Sequence, residues 1–173
     1  MKNKLIVFVL LLLYMSCELP SSNKQQTDFY HKLLMAVLEE KDKGIEYFVE
    51  VKSPKITEYR LCYLGYIQSS KQNIDFIYST YYYGNYQDAK HASCTVDLFF
   101  KNKKIGYYYI GGGFNALPQI NGYDLIFDND DEACGQKTFI SFRDSIPNEI
   151  FIHCKKKDEN TMSGDIFTFQ KEE

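Results

Sequence analysis

The 173-residue sequence has 20 basic and 23 acidic side chains, a net charge of −3 that excludes the basic excess typical of nucleic-acid-binding proteins. Its 15 tyrosines and 13 phenylalanines, with no tryptophan, favour β-strands. Apart from an unusual amino-terminal segment, this length suits a single domain with one core.

The amino-terminal segment has a charged start and an apolar core. Lys2 and Lys4 precede the uninterrupted apolar run of residues 5–13. This order is the layout of a secretory signal. The run is shorter than the roughly 20 residues that a membrane-spanning helix needs. We therefore predict that residues 1–16 form a signal peptide.

The apolar run ends at a cysteine. Residues 13–17 are Leu-Tyr-Met-Ser-Cys and resemble the lipobox of bacterial lipoproteins. The resemblance implies that Cys17 becomes the first mature residue and carries several fatty-acyl chains such as palmitate, which anchor the protein to a cell-envelope membrane. Glu18 resembles the export signal of some Gram-negative lipoproteins and implies the outer membrane. The alternative is an ordinary cleaved signal with an incidental cysteine.

A polar tether and one helix follow the cysteine. Residues 17–26 include Pro20 and several serines and glutamines, which favour a flexible tether. The pattern then predicts an amphipathic helix from Thr27 to about Lys43, ended by Gly44. Its apolar stripe, at helical spacing, consists of Tyr30, Leu33, Leu34, Val37 and Leu38.

Beyond Gly44 the apolar period changes from 3.6 to two, which predicts strands. The predicted strands are residues 45–51, 56–67, 74–83, 94–101, 105–110, 123–128, 137–143, 149–155 and 166–170. We expect an α+β domain over residues 27–173: one amino-terminal amphipathic helix packed on a mainly antiparallel, meander-like sheet of eight or nine strands. The alternative architecture is a small β-barrel.

Four further cysteines, Cys62, Cys94, Cys134 and Cys154, are candidates for disulfides in an exported chain. Pairing of Cys62 with Cys94 and of Cys134 with Cys154 is slightly favoured because each pair links segments near in sequence. The other two pairings, and buried free thiols, stay open. The spacing of these cysteines and of the three histidines does not match zinc ligands, so no metal site is predicted.

Motifs that carry catalysis are absent from the sequence. It contains no G-x-S-x-G, H-E-x-x-H, C-x-x-C or P-loop motif, and no cofactor is predicted. Gly111–Gly113 is interpreted as a strand-ending loop, and Asp128–Glu132 as a solvated acidic loop. A hydrolase would need a site built from scattered residues such as Asp97, Asp124, Glu149 and His153.

The tyrosines form the most distinctive pattern. Two predicted strands carry consecutive tyrosines, and neighbouring strand residues face opposite sides of a sheet. One side of each strand therefore presents phenol rings for binding, unless both faces are buried. The candidate binding surface consists of Tyr81, Tyr82, Tyr83, Tyr86, Tyr107, Tyr108 and Tyr109.

These features favour a membrane-tethered envelope lipoprotein that acts as a non-catalytic protein-binding module, of an inhibitor or immunity type. Its expected contacts are the membrane, through lipid on Cys17, and an unidentified envelope protein. The alternatives are a glycan or small-ligand binder that uses the tyrosine-rich face, and a hydrolase without a recognisable motif.

Overall fold

The computed structural model describes residues 23–51, 56–69, 72–83, 91–112, 116–128, 137–154 and 163–172. The predicted signal peptide, Cys17, Tyr86, most of the acidic loop and Cys134 lie outside the described residues. One helix, α1 (Asn23–Glu40), precedes ten strands. The strands are β1 (Glu46–Glu50), β2 (Ile56–Gln68), β3 (Asn73–Tyr83), β4 (His91–Phe100), β5 (Lys103–Gly111), β6 (Gln119–Asn121), β7 (Asp124–Asp128), β8 (Lys137–Ser141), β9 (Glu149–Cys154) and β10 (Ser163–Lys171).

The predicted α+β architecture is confirmed, with one more strand than expected. The additional strand is β6, whose three residues are too few to show a periodic pattern. β1, β2, β3, β4, β5, β10 and β9 form one sheet in that order, and β6, β7 and β8 form a second. Every pairing between strands is antiparallel. Over the described residues, the strands do not close into the alternative barrel.

The helix begins and ends earlier than predicted. It ends at Glu40 because Lys41 adopts a left-handed φ of 52° while its N–H still donates to the Val37 carbonyl at 3.1 Å. Gly44, with a φ of 75°, then directs the chain into β1, and its N–H donates to the Tyr63 carbonyl at 2.9 Å. The glycine that was expected to end the helix therefore starts the sheet.

Two apolar clusters lie on opposite faces of the seven-stranded sheet. α1 covers one face, where Leu34, Leu38, Leu61, Ile77 and Phe99 are buried. The three-stranded sheet covers the other face, whose buried residues include Phe76, Val96, Leu98, Leu125, Phe127 and Phe142. The large sheet is thus the middle of three layers, which explains why its central strands are buried on both faces.

The predicted disulfide between Cys62 and Cys94 is not formed. Both are buried free thiols, Cys62 opposite Tyr78 on β3 and Cys94 opposite Thr80 on the same strand. With β3 between them, the cysteines are two strand spacings apart, about 10 Å, whereas a disulfide needs Cα atoms within about 7 Å. The side chain of Cys154 lies outside the described part of the chain, so its predicted pairing with Cys134 stays a prediction.

Candidate binding surface

The strand register divides the predicted tyrosine surface between two faces. Tyr81 pairs with Ser93, whose hydroxyl lies 3.0 Å from the Tyr109 hydroxyl, so both tyrosines lie on the α1 side of the large sheet. Because strand residues alternate, Tyr83 and Tyr107 share this side, whereas Tyr82 and Tyr108 face the other way. The seven tyrosines therefore do not form one surface.

Tyr108 does not belong to a binding surface. Its side chain is 0% exposed, and its ring packs against Phe142 and Phe169 in the core between the two sheets. Its hydroxyl donates to the Pro147 carbonyl at 2.5 Å, and burial raises the pKa of Tyr108. This satisfied phenol ties a surface loop to the core, which is a structural role.

Tyr82 and Tyr107 are also held within the protein. The Tyr82 ring centroid lies 5.0 Å from the guanidinium carbon of Arg60, on the face opposite α1. The Tyr107 ring centroid lies 4.6 Å from Lys104 Nζ. Both side chains are half-buried. These cation–π contacts occupy one face of each ring. Among the members of the predicted set that the structure describes, Tyr83 and Tyr109 are exposed, and Tyr81 is half-buried beside them.

These three tyrosines and His91 form what we call the aromatic patch. Tyr83 and His91 are direct cross-strand partners, and their rings stack at 5.5 Å with an interplanar angle of 28°. The Tyr81 ring lies 6.2 Å from that of Tyr83. Tyr83 is 39% exposed and Tyr109 is 47% exposed. The patch thus joins β3, β4 and β5 at one end of the large sheet and presents aromatic faces to solvent.

A series of ring contacts connects the patch to α1. Tyr81 lies 6.5 Å from Tyr59, and Tyr59 in turn stacks on Tyr30 of the helix at 5.5 Å. Tyr59 is buried at 3% exposure. Aromatic pairs in this distance range contribute about 0.5–1.5 kcal/mol each beyond the area they bury. The exposed rings are therefore the outer end of a packed row that holds them in place.

The Tyr81 phenol is a neutral hydrogen-bonding group within the patch. Burial raises the pKa of Tyr81, the neighbouring phenols of Tyr109 and Tyr83 raise it further, and its hydrogen bond with Ser93 only partly offsets this. A phenol with a raised pKa keeps its proton at physiological pH. Tyr81 therefore adds to the aromatic surface of the patch a hydroxyl that can donate or accept a hydrogen bond without carrying a charge.

A buried polar cluster fixes α1 on the sheet below the patch. Asp97 is 0% exposed, and its Oδ2 accepts hydrogen bonds from the hydroxyls of Tyr30 (2.8 Å), Thr95 (2.9 Å) and Ser79 (3.1 Å). Its Oδ1 contacts Lys104 Nζ at 3.0 Å. We call these five residues the Asp97 cluster. A buried carboxylate needs such compensation, and here the helix supplies one of the donors.

The Lys104 ammonium completes the cluster. It lies 3.4 Å from a Glu172 carboxylate oxygen, in addition to its contact with Asp97. Burial alone would lower the pKa of Lys104, but the two carboxylates outweigh that effect and the pKa is raised. The lysine thus stays charged, which is the state that Asp97 requires.

A second polar anchor lies just beyond the carboxyl end of α1. Lys41 Nζ contacts Asp75 Oδ1 at 3.1 Å, and the Tyr63 hydroxyl donates to the same oxygen at 2.6 Å. Burial, then the contact with Asp75, raises the pKa of Tyr63. The helix is therefore tied to the sheet by a polar contact near its middle, at Tyr30, and by one just beyond its carboxyl end, at Lys41, as well as by its apolar stripe.

The structure disperses the residues considered for a hydrolase. Asp97 is buried under α1, Asp124 lies on β7 of the small sheet, and Glu149 and His153 occupy opposite ends of β9. Within the described ranges, no group of three His, Cys, Asp or Glu side chains could hold a metal ion. These four residues thus lie on three different strands, β4, β7 and β9.

A half-open depression of about 260 Å³ lies between the β2–β3 turn and residues 144–148. Its lining includes one carboxylate, Asp144, and one ammonium, Lys171, around an apolar floor that contains Ile74 and Phe169. It is smaller than the pockets of about 300–1,000 Å³ that usually hold small molecules. Its position is separate from the tyrosines of the aromatic patch.

Sequence reasoning missed His91 and Lys104. His91 lies three residues before the predicted start of β4. Extending the β3–β4 hairpin by those three residues would have placed His91 opposite Tyr83, as in the structure. Lys104 was in the predicted turn between β4 and β5, where a solvated lysine is the normal interpretation. A register shift at Phe99 and Lys104 turns its side chain towards Asp97, and no sequence pattern signals that shift.

Comparison with known proteins finds no relative: no family model matches the sequence, no curated protein matches it, and no solved structure matches the chain. The part of the chain that the structure describes contains no helix with the length and apolar character of a membrane span. The functional argument therefore comes from the residues themselves.

Proposed function

We propose that the protein is a lipid-anchored lipoprotein of a bacterial cell envelope, and that it binds another protein through the aromatic patch without catalysis. The lipobox-like residues 13–17 support the anchor. The exposed tyrosines of the patch support the binding role, and they are the observation that carries it.

The chemistry of the patch suits a protein partner. Tyr83 and Tyr109 offer large amphipathic surfaces, and a tyrosine loses little conformational entropy when it is buried in an interface. Both lie on a packed sheet, so the surface is preorganised for docking. Tyrosines in the centre of an interface often contribute about 2 kcal/mol or more to binding. An inhibitor or immunity function needs only such a surface.

The binding proposal is tested by affinity capture from detergent-solubilised envelope fractions, with a carboxy-terminal tag. We expect one stoichiometric protein partner with the wild type and its loss with the double variant Tyr83→Ala/Tyr109→Ala. The matched control is Tyr66→Ala, because Tyr66 is a 57% exposed tyrosine on another part of the sheet. Recovery of polysaccharide alone would favour the glycan alternative, and equal capture by all three proteins would remove the patch from the interface.

The anchor is tested separately by metabolic labelling with a fatty acid. Wild type should take up label and fractionate with membranes, and Cys17→Ala should lose both properties or accumulate as an uncut precursor. Cys94→Ala, which removes a buried thiol of the domain, should keep the label. The lipoprotein assignment is wrong if the wild type takes up no label.

A further inference from the structure

We propose that the outer edge of β1 is a second, separate binding site, which accepts an extended segment of a partner protein by strand addition. The segment carries basic side chains on either side of an apolar one. This site lies apart from the aromatic patch, and the proposal does not depend on that patch.

The main chain of β1 provides the hydrogen-bonding groups. β1 pairs over its five residues with β2, and within the described ranges no strand pairs with its other side. About half of the N–H and C=O groups of an edge strand point away from its neighbour, and an added strand can bond to them. The helix α1 makes its main contacts with β2 and β3, and it meets β1 only on the face that carries Tyr47 and Val49.

The side chains on one face of β1 indicate the chemistry of the partner. Glu46, Phe48 and Glu50 share the face away from α1, all three are exposed, and Phe48 is exposed by 50%. An added strand would place its alternate residues directly beside them. The favourable partner strand therefore places basic side chains beside Glu46 and Glu50 and an apolar side chain beside Phe48.

Acidic charge on β2, the strand beside β1, also favours a basic partner. Glu50 lies directly opposite Glu58, a like-charge pair that disfavours this end of the hairpin. Arg60 Nε donates to Glu58 at 2.5 Å, and its guanidinium lies 5.8 Å from the Phe48 ring. Among the described residues, neither Glu46 nor Glu50 forms an ion pair. A basic side chain from the partner would relieve this excess of carboxylates.

The same charges disfavour a second copy of the protein as the occupant when the two strands are centred on Phe48. Antiparallel pairing of two β1 strands about Phe48 would set Glu46 of one copy opposite Glu50 of the other, twice. Like charges in directly opposite positions are destabilising. The glutamates therefore disfavour full-length edge-to-edge pairing of two copies and favour a basic strand from a different protein.

The test uses the purified full-length protein and short fluorescent peptides, measured by anisotropy. The probe has a central valine flanked by threonines and then by lysines, and the control peptide has glutamates in place of the lysines. We expect the basic peptide to bind at least about tenfold more tightly, since two attractive pairs become repulsive. The charge-reversed variant Glu46→Lys/Glu50→Lys should invert this preference, whereas Glu39→Lys/Glu40→Lys on exposed α1 positions should not.

Main-chain pairing is tested by N-methylation of the peptide. Alternate N–H groups of an extended peptide point to opposite edges, and only one edge faces β1. N-methylation of the residues whose N–H groups face β1 should abolish binding, whereas N-methylation of the intervening residues should be tolerated. Equal binding by both methylated peptides would show that the peptide binds by charge attraction without main-chain hydrogen bonds, which would overturn the proposal. Absence of any preference between basic and acidic peptides would overturn it as well.

Discussion

Replacement of Lys104 by methionine should destabilise the domain strongly. Methionine keeps the apolar stem of the side chain but removes the ammonium that lies 3.0 Å from Asp97 Oδ1. The Asp97 side chain is 1% exposed, so water cannot replace the lost cation. The hydroxyls of Tyr30, Ser79 and Thr95 would still bond to Oδ2.

Removal of one partner from a buried ion pair costs about 3–5 kcal/mol. The three remaining hydroxyl donors place Lys104→Met at the lower end, at about 3 kcal/mol. Since domains are stable by only about 5–15 kcal/mol, this is a large share of the total. For a domain of this length it corresponds to a decrease in Tm of about 6–12 °C.

Urea unfolding followed by far-ultraviolet circular dichroism and tyrosine fluorescence measures the free energy of unfolding. The matched control is Lys103→Met, at an exposed position of the same strand, which should change it by less than about 0.5 kcal/mol. The double variant Asp97→Asn/Lys104→Met leaves no buried charge and should recover part of the loss. Equal stability of Lys104→Met and Lys103→Met would refute this account of the cluster.

Three further predictions concern buried groups. Burial, and then the Asp97 charge, raise the pKa of Tyr30, so the folded protein keeps a proton that the unfolded chain loses above about pH 10. Stability should therefore fall from about pH 10 upward, and urea unfolding should show a shallower fall for Tyr30→Phe, whereas an unchanged slope would contradict the link. Burial raises the pKa of Cys62 to about 11. Alkylation at neutral pH, mapped by mass spectrometry, should therefore modify Cys62 only when urea unfolds the protein. Rapid labelling of Cys62 in the native protein would show that the thiol is not buried. Gly106→Ala would force a methyl group against the Gln170 carbonyl and the Phe169 ring. The free energy of unfolding, measured in urea, should fall by about 1–3 kcal/mol. An unchanged value would mean that β5 and β10 pack more loosely than the structure shows.

Local periodicity predicted most of the fold. The stripe from Tyr30 to Leu38 marks α1, and period-two alternation marks the strands, because both signals are contained in short segments. The place of β10 between β5 and β9 has no such signal, since it depends on contacts between segments far apart in the chain. Sequence alone therefore predicted the fold class and the elements other than β6, but not the order of strands.

The candidate site was predicted only in part for a related reason. Asp97 alternates with the apolar residues Val96 and Leu98, so period-two alternation predicts that its side chain faces solvent. In the structure α1 covers that face of the sheet and buries Asp97. Tyr108 and Tyr109 are neighbours of the same type, and only the layers around the sheet decide that one is core and the other is exposed. A single strand does not contain this information.

The interior position of β10 has a consequence for folding during synthesis. Its residues 163–168 pair with β9 and its residues 169–171 pair with β5, so it joins two parts of the sheet that are otherwise unconnected by strand pairing. A nascent chain that has emerged only as far as β9 cannot complete the large sheet. Since the segment between β5 and β10 must be made first, the large sheet reaches its native strand order only after β10 itself has been synthesised.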